Sequence, residues 1–381
     1  MNSICIIANG YPTPEDPQYA FIQPIVHSFA DKGIKCTAII PQSITKAVGR
    51  NRKLRPYQWI DCTQNKNLIT VYQPTFFSTS KLKIGSNQIS SYICDQAIER
   101  CFIKEKIEAD VLYAHFWDRG IAASRIAKKT GATVIIASGE SKIWIRDYYS
   151  GRPIKKMLQQ VNGLICVSTK NYEESQSLGL IDKTLNVAII PNGYNREEFY
   201  QYDRDVAREK LHVDHNDFVG VFVGAFCERK GSERVLDAAR RIPDLKLFMI
   251  GSGQQSDSQH VIFKGTVTHN EIVDYLNAAD FFVLPTLAEG CCNAIVEALA
   301  CGLPVISSNQ SFNDDILNEE NSIRIDPSNI DEISQAIQRL KDDKLLRDRL
   351  SLGALETAKK LTIEERSNKI INFIETCIQK Q

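Results

Sequence analysis

Two carboxylates, Glu289 and Glu297, stand eight positions apart in the segment Glu289-Gly-Cys-Cys-Asn-Ala-Ile-Val-Glu297. At about 3.6 residues per turn they would share a face if the whole segment were helical. Gly290 permits a tight turn and Asn293 is a candidate N-cap, so the pattern puts Glu289 on a loop and Glu297 one turn inside a helix. Backbone N–H groups near Asn293, Ala294 and Ile295 then face the space between the acids, where a phosphate can bind. A second constellation follows the apolar run Val219–Val223: Gly224, then Arg229, Lys230 and Gly231 ahead of a helix opening at Ser232. A strand, a glycine turn and two adjacent cations at a helix start make an anion site. A charge pair at ~4 Å contributes ~4 kcal/mol at an effective dielectric of ~20, against ~0.3–2 kcal/mol for a helix terminus. The cations should therefore dominate diphosphate binding, the competing reading being a solvated basic turn.

Such groups need a scaffold that brings loop ends together. Short apolar runs alternate with helical patterns throughout: Ile4–Ala8, Cys36–Ile40, Val111–Ala114, Thr133–Ala137 and Leu164–Val167, then Val219–Val223, Lys246–Ile250, Phe281–Leu284 and Val305–Ser307. Continuous apolar runs of this length fit parallel strands covered by helices on both faces. The chain has 381 residues, more than a single core usually serves, so two doubly wound α/β domains are expected. The boundary falls after Ile189-Ile-Pro-Asn-Gly193, giving domains 1–193 and 194–361. Residues 362–381 open with a capping box, Thr362-x-x-Glu365, and carry an apolar stripe from Ile370 to Ile378 that should pack back on the first domain. Ligands of open α/β sheets bind beyond the carboxyl ends of the strands, so the expected site is a cleft between two such domains.

Composition narrows the function classes. The 46 basic and 46 acidic side chains cancel, which argues against general nucleic-acid binding. The 11 cysteines include no CxxC pair and mostly sit in apolar runs, as reduced core residues of a cytoplasmic protein would. No apolar run reaches the ~20 residues of a membrane span, so any membrane contact is expected to be peripheral. Asp203-Arg-Asp205 has a metal-binding look but falls outside any strand end and reads as surface charge. No metal and no cofactor is expected.

The chain resembles the retaining glycosyltransferases of family 4, also called group 1, with the GT-B architecture of two Rossmann-like domains. The resemblance runs from Gly163 to Asn309. It rests on Val167-Ser168, Ile190-Pro-Asn-Gly193, Gly224 with Arg229-Lys-Gly231, Ile250-Gly-Ser-Gly253, Phe263-Lys-Gly265, Ala279-Asp280, Leu284-Pro285, Glu289-x7-Glu297 and Glu297-Ala-Leu-Ala-Cys-Gly-Leu-Pro304-Val. It implies that Glu289 contacts the donor sugar's hydroxyls and Glu297 the ribose of a nucleotide sugar. Arg229 and Lys230 match the pair that binds the donor diphosphate, with Gly224, Gly251, Gly290 and the backbone of Asn293, Ala294 and Ile295 around it. The implied reaction is transfer from a nucleoside-diphosphate sugar to a saccharide or lipid-linked acceptor in bacterial cell-surface polysaccharide synthesis. A nucleotide-sugar epimerase and a non-catalytic nucleotide-sugar-binding scaffold are the competing readings.

Two positions depart from the family pattern. Ala225 replaces an arginine that many relatives carry after the strand-end glycine, and Ser138 stands where relatives often have a histidine near the donor sugar. A hydroxyl can donate to a sugar oxygen but does not titrate near neutral pH. Further candidates on the acceptor or sugar side are Glu140 as a contact or general base, His115 at the cleft edge, and the loop carrying Asn9, Gly10 and Ala20. The basic run Lys46, Arg50, Arg52, Lys53 and Arg55, with Phe76-Phe77 nearby, fits an anionic membrane surface or a lipid-phosphate acceptor, the competing reading being a solvated basic loop.

Overall fold

The computed structural model describes residues 1–381 apart from 14–18, 20, 50–51, 80–82, 85–86, 150–151, 183 and 381. The chain divides into two compact units, Met1–Ile190 with Ser367–Gln381, and Pro191–Arg366. The first division lies a few residues before the expected 193. The second falls inside the terminal helix Ile363–Gln379 rather than at its start.

The first unit holds an eight-stranded sheet. Its strands run Asn186–Ile189, Val161–Cys166, Thr133–Ser138, Val111–His115, Ser3–Ile7, Lys35–Ile39, Leu68–Tyr72 and Gln58–Cys62 across the sheet. All neighbours are parallel except the last pair. Every residue of Val111–His115 and Thr133–Ser138 is buried, as parallel strands covered on both faces require. The hairpin Gln58–Cys62 and Leu68–Tyr72 alternates instead, with Ile69 and Val71 inward. One apolar flank fits an edge, and so few apolar residues give a weak sequence signal.

In the C-terminal helix, Ile370, Ile374 and Cys377 are buried in the same cluster as Ile4, Ile135 and Ile165 of the first sheet. Thr362 Oγ1 accepts from the Glu365 amide at 3.2 Å, the side-chain-to-backbone half of the capping box.

The second unit is a six-stranded, all-parallel sheet in the order Val261–Gly265, Leu245–Ile250, Phe218–Val223, Phe281–Leu284, Val305–Ser308, Ser322–Ile325. The chain builds outward from Phe218–Val223 to one side, then returns to lay Phe281–Leu284 on the other. The strand order therefore reverses between Phe218–Val223 and Phe281–Leu284. That junction is fixed at its lower end by Asp280, which accepts from the Val219 amide at 2.8 Å and pairs with Arg208 at 2.9 Å and Arg204 at 2.6 Å. Asp203 caps the helix Arg204–Leu211 by accepting from the Asp205 and Val206 amides, a stabilising role more specific than exposed charge.

Candidate active site

Two loops meet where the strand order reverses. The Gly224 amide donates to Ile250 O at 2.9 Å, ending Phe218–Val223, and the chain then turns through Arg229 and Lys230 to Gly231. Gly231 lies in the left-handed region at φ 79° and opens the helix Ser232–Ala239. A Cβ there would also come within 2.7 Å of Pro285 O. The neighbouring loop begins at Pro285, and the Leu287 amide donates to Arg229 O at 2.8 Å, joining the two loops.

This junction aligns the predicted charges. Arg229 Nη1 and Lys230 Nζ both reach Glu289 Oε1, at 2.6 and 2.7 Å. The Thr286 hydroxyl donates to the same oxygen at 2.9 Å, and Arg229 Nη1 also donates to Ala288 O at 2.7 Å. Lys230 and Glu289 are mostly buried, whereas the Arg229 side chain is 45 % exposed. Two cations against one carboxylate leave a net positive charge, which suits a multiply charged anion.

The helix beyond the bend at Gly290 corrects one detail of the sequence reading. It spans Asn293–Ala300 with Cys292, not Asn293, at the N-cap. Asn293 Oδ1 instead accepts from Asn192 Nδ2 at 2.8 Å. The Ile295 amide is closed onto Cys292 O at 3.1 Å, so it is not one of the open donors. The open donors at this helix start are the amides of Asn293 and Ala294, one turn before Glu297. Gly251, predicted among the donor-binding glycines, packs on the strand end itself, since a Cβ there would lie 1.9 Å from Gly224 O.

Sequence reasoning missed His269. Its Nδ1 lies 3.1 Å from Glu198 Oε2 and its Nε2 lies 3.5 Å from Glu297 Oε1, while its ring meets Phe199 edge-on at 5.0 Å. Asn195 Nδ2 donates to Glu198 Oε1 at 2.7 Å, completing a chain from Asn195 through Glu198 and His269 to Glu297. A legible signal was present: Thr268-His-Asn-Glu271 is a capping box that fixes the short helix presenting His269. The contacts with Glu198 and then Glu297 raise the imidazole pKa to about 10. The His269 contact likewise holds the Glu198 carboxyl below its usual range. With a folded pKa above the unfolded ~6.5, His269 contributes stability that is complete below pH ~6.5 and lost as pH rises through about 10. The melting temperature of His269→Gln should therefore fall less than that of the parent between pH 7 and 10. Parallel curves would remove His269 from this role.

In the first unit several candidates have partners within the fold. His115 is 4 % exposed, packed among the rings of Phe21, Tyr113 and Phe116, so it belongs to the core rather than to an edge. Ser138 is fully buried and donates its hydroxyl proton to Glu140 Oε2 at 2.7 Å, which leaves no hydroxyl proton for a sugar. Glu140 accepts in addition from the Gly139 and Trp117 amides, both at 2.9 Å. Its carboxylate thus caps the helix Trp117–Thr130, whose N-cap Phe116 supplies no side-chain acceptor. Burial pushes the Glu140 carboxyl up to about 7 despite these donors. Asn9 and Gly10 line a cavity together with Lys46, Arg52, Lys53 and Arg55. Ala20 and Arg50 lie outside the described residues.

Residues 203–356 match the family model described as glycosyl transferases group 1. That span contains the strand-order reversal and the whole Arg229–Lys230–Glu289 cluster. This chain carries a group 1 glycosyltransferase domain. The transferase is 23 % identical over 366 residues to the putative teichuronic acid biosynthesis glycosyltransferase TuaC of Bacillus subtilis, covering 92 % of both chains. It is 30 % identical over 202 residues to a UDP-Gal:alpha-D-GlcNAc-diphosphoundecaprenol alpha-1,3-galactosyltransferase of Escherichia coli, covering 48 % of this chain and 52 % of that one. Among solved structures, sucrose-phosphate synthase from Thermosynechococcus elongatus superposes with a TM-score of 0.78 at 17 % identity, covering 100 % of both chains. Anabaena Alr3699/HepE, solved in complex with UDP, gives 0.71 at 14 % identity over 99 % of this chain and 100 % of that one. The glycosyltransferase thus has the GT-B fold, and its matched span is the second of its two units.

Proposed function

We propose that this transferase moves a hexosyl group, with retention of configuration, from a UDP- or GDP-sugar to a saccharide or lipid-linked acceptor in the assembly of a bacterial cell-surface polysaccharide. The observation that carries this reading is the pair of cations, Arg229 and Lys230, held 2.6 and 2.7 Å from Glu289 at the strand-order reversal. It is the place where open α/β sheets take nucleotides. The names of the Bacillus and Escherichia relatives, a putative teichuronic acid biosynthesis glycosyltransferase and a galactosyltransferase of a diphosphoundecaprenol-linked sugar, support the polysaccharide setting.

In this scheme Arg229, Lys230 and the amides of Asn293 and Ala294 bind the donor diphosphate and offset the charge that grows on it as the glycosidic bond breaks. Glu289 exchanges a cation contact for the donor sugar's hydroxyls. Glu297, oriented by His269, takes the ribose hydroxyls. The acceptor attacks from the face the diphosphate leaves, and a diphosphate oxygen receives its proton. We assign the charge neutralisation to the side-chain cations, with no metal ion or other cofactor, and the enzyme to the cytoplasmic face of the membrane. No helix among the described residues is long and apolar enough to cross a membrane.

Lys230→Ala is expected to weaken nucleoside diphosphate binding about tenfold, the worth of one charge-assisted hydrogen bond, while nucleoside binding is unchanged. Calorimetric titration of both ligands checks this, and an equal loss of the two would refute the diphosphate role. A chelator should leave the transfer rate unaltered. Anomeric configuration of the product by NMR tests retention, and an isomerised nucleotide sugar formed from donor alone would point to epimerase chemistry instead.

A further inference from the structure

The first unit contains a cavity of about 500 Å³ whose wall combines Asn9 and Gly10 with the basic segment. Its frame is tightly made. Gln42–Ser43 pairs in parallel with Thr75–Phe76. Gln42 bonds both ways with Arg55, donating to Arg55 O at 2.8 Å and accepting from the Arg55 amide at 3.0 Å. The Arg55 guanidinium donates onward to Tyr11 O, so Arg55 belongs to the frame. Besides Arg55 and Arg119, the cations Lys46, Arg52 and Lys53 line the cavity. Among the described residues none of the three has a carboxylate partner. The acid on the wall, Asp118, is paired with Arg119 at 2.9 Å. The Ser90 hydroxyl also lines it, while those of Ser43 and Ser78 bond to each other at 2.6 Å. Val48, Leu54 and Phe77, close by in sequence, are 75 %, 43 % and 61 % exposed.

We propose that this cavity binds a phosphoryl group of the acceptor, through Lys46, Arg52 and Lys53. The proposal rests on the transferase reading and specifies its acceptor. A single carboxylate would leave most of this charge unbalanced, whereas a phosphoryl or diphosphoryl group carries two or more charges and oxygens enough for three cations and the Ser90 hydroxyl. A half-open recess of about 500 Å³, with Leu54 on its wall, takes a phosphoryl group attached to a larger body more readily than a flat membrane surface. That body can be a polyprenyl chain or a free sugar.

The test is calorimetric titration of the full chain with inorganic pyrophosphate. Two classes of site are expected: one weakened about tenfold in Lys230→Ala, the other weakened about tenfold or more in Arg52→Gln/Lys53→Gln. Both replaced side chains are exposed, so melting temperatures should be unchanged. If Arg52→Gln/Lys53→Gln binds pyrophosphate as the parent does, the proposal is overturned. It is overturned equally if that variant keeps both sites but loses binding to phosphatidylglycerol vesicles, which would make the segment a membrane surface. Should Lys230→Ala retain both sites while the double variant loses one, the donor assignment fails and the cavity assignment stands. Farnesyl diphosphate and glucose 1-phosphate then compete for the cavity site. Displacement by the first identifies a lipid-linked acceptor, displacement by the second a free sugar phosphate, and displacement by neither overturns the proposal.

Discussion

Glu289→Gln is expected to lower kcat by about 10²–10³-fold, the scale of losing one preorganised group at the reacting centre, while nucleoside diphosphate binds as tightly as before or tighter. The sign of the binding change follows from the geometry. Glu289 Oε1 lies 2.6 and 2.7 Å from the two cations that the diphosphate must engage. Glutamine keeps the volume and one acceptor but removes the competing charge, so the anion site becomes more positive. Glu289 would then act on the sugar and not on the phosphates. Steady-state kinetics and calorimetry on the same preparation decide it: a parallel loss of kcat and nucleotide affinity would mean that Glu289 builds the site instead of acting in it. The conservative change matters because Glu289→Ala would also free Thr286 and Arg229 from their shared partner and blur the two effects.

Gly251→Ala should destabilise the second unit by about 2–4 kcal/mol, among the larger effects of a single substitution. Its new Cβ would lie 1.9 Å from Gly224 O and 3.2 Å from a Phe226 ring carbon. A backbone oxygen cannot rotate away as a side-chain tip can. The Gly224 turn must shift, and with it the loop that delivers Arg229 and Lys230. Urea denaturation should register the loss, and donor binding should fall alongside it. Gly49→Ala is the control, since a Cβ there meets nothing within 4 Å and should change stability by less than about 1 kcal/mol. If the two variants unfold alike, the close approach of the two strand ends is not what requires glycine at 251.

The buried parallel strands were legible because each is a continuous apolar run, as in Thr133–Ser138 and Phe281–Leu284. The hairpin Gln58–Cys62 and Leu68–Tyr72 was not, because a strand half exposed at an edge needs few apolar residues. Among the site residues, Glu289, Arg229 and Lys230 were legible as charge at loop ends. Their spacing in sequence is about 60 residues, and only the parallel pairing of Gly220 with Phe281 and Val221 with Phe282 makes their loops neighbours. Ser138 and Glu140 were ambiguous because a polar residue at a strand end can turn toward a ligand or toward an adjacent helix start. Here the Trp117 amide at the helix start donates to Glu140, and the Ser138 hydroxyl and Gly139 amide hold its other oxygen. His115 was ambiguous for a related reason: sequence marks it as following a strand but not which layer its ring enters.

What the sequence determined by itself is the class of chain and the kinds of group at its working loops, because apolar run length, turn glycines and paired charges are local properties of neighbouring residues. What the tertiary structure decided is which of those groups remain available. Burial and hydrogen bonding gave His115, Ser138 and Glu140 partners within the fold, set His269 beside Glu297, and framed the cavity beside Lys46, Arg52 and Lys53. Whether a polar side chain serves a ligand or its own fold depends on partners distant in sequence, and those are fixed only when the sheets close.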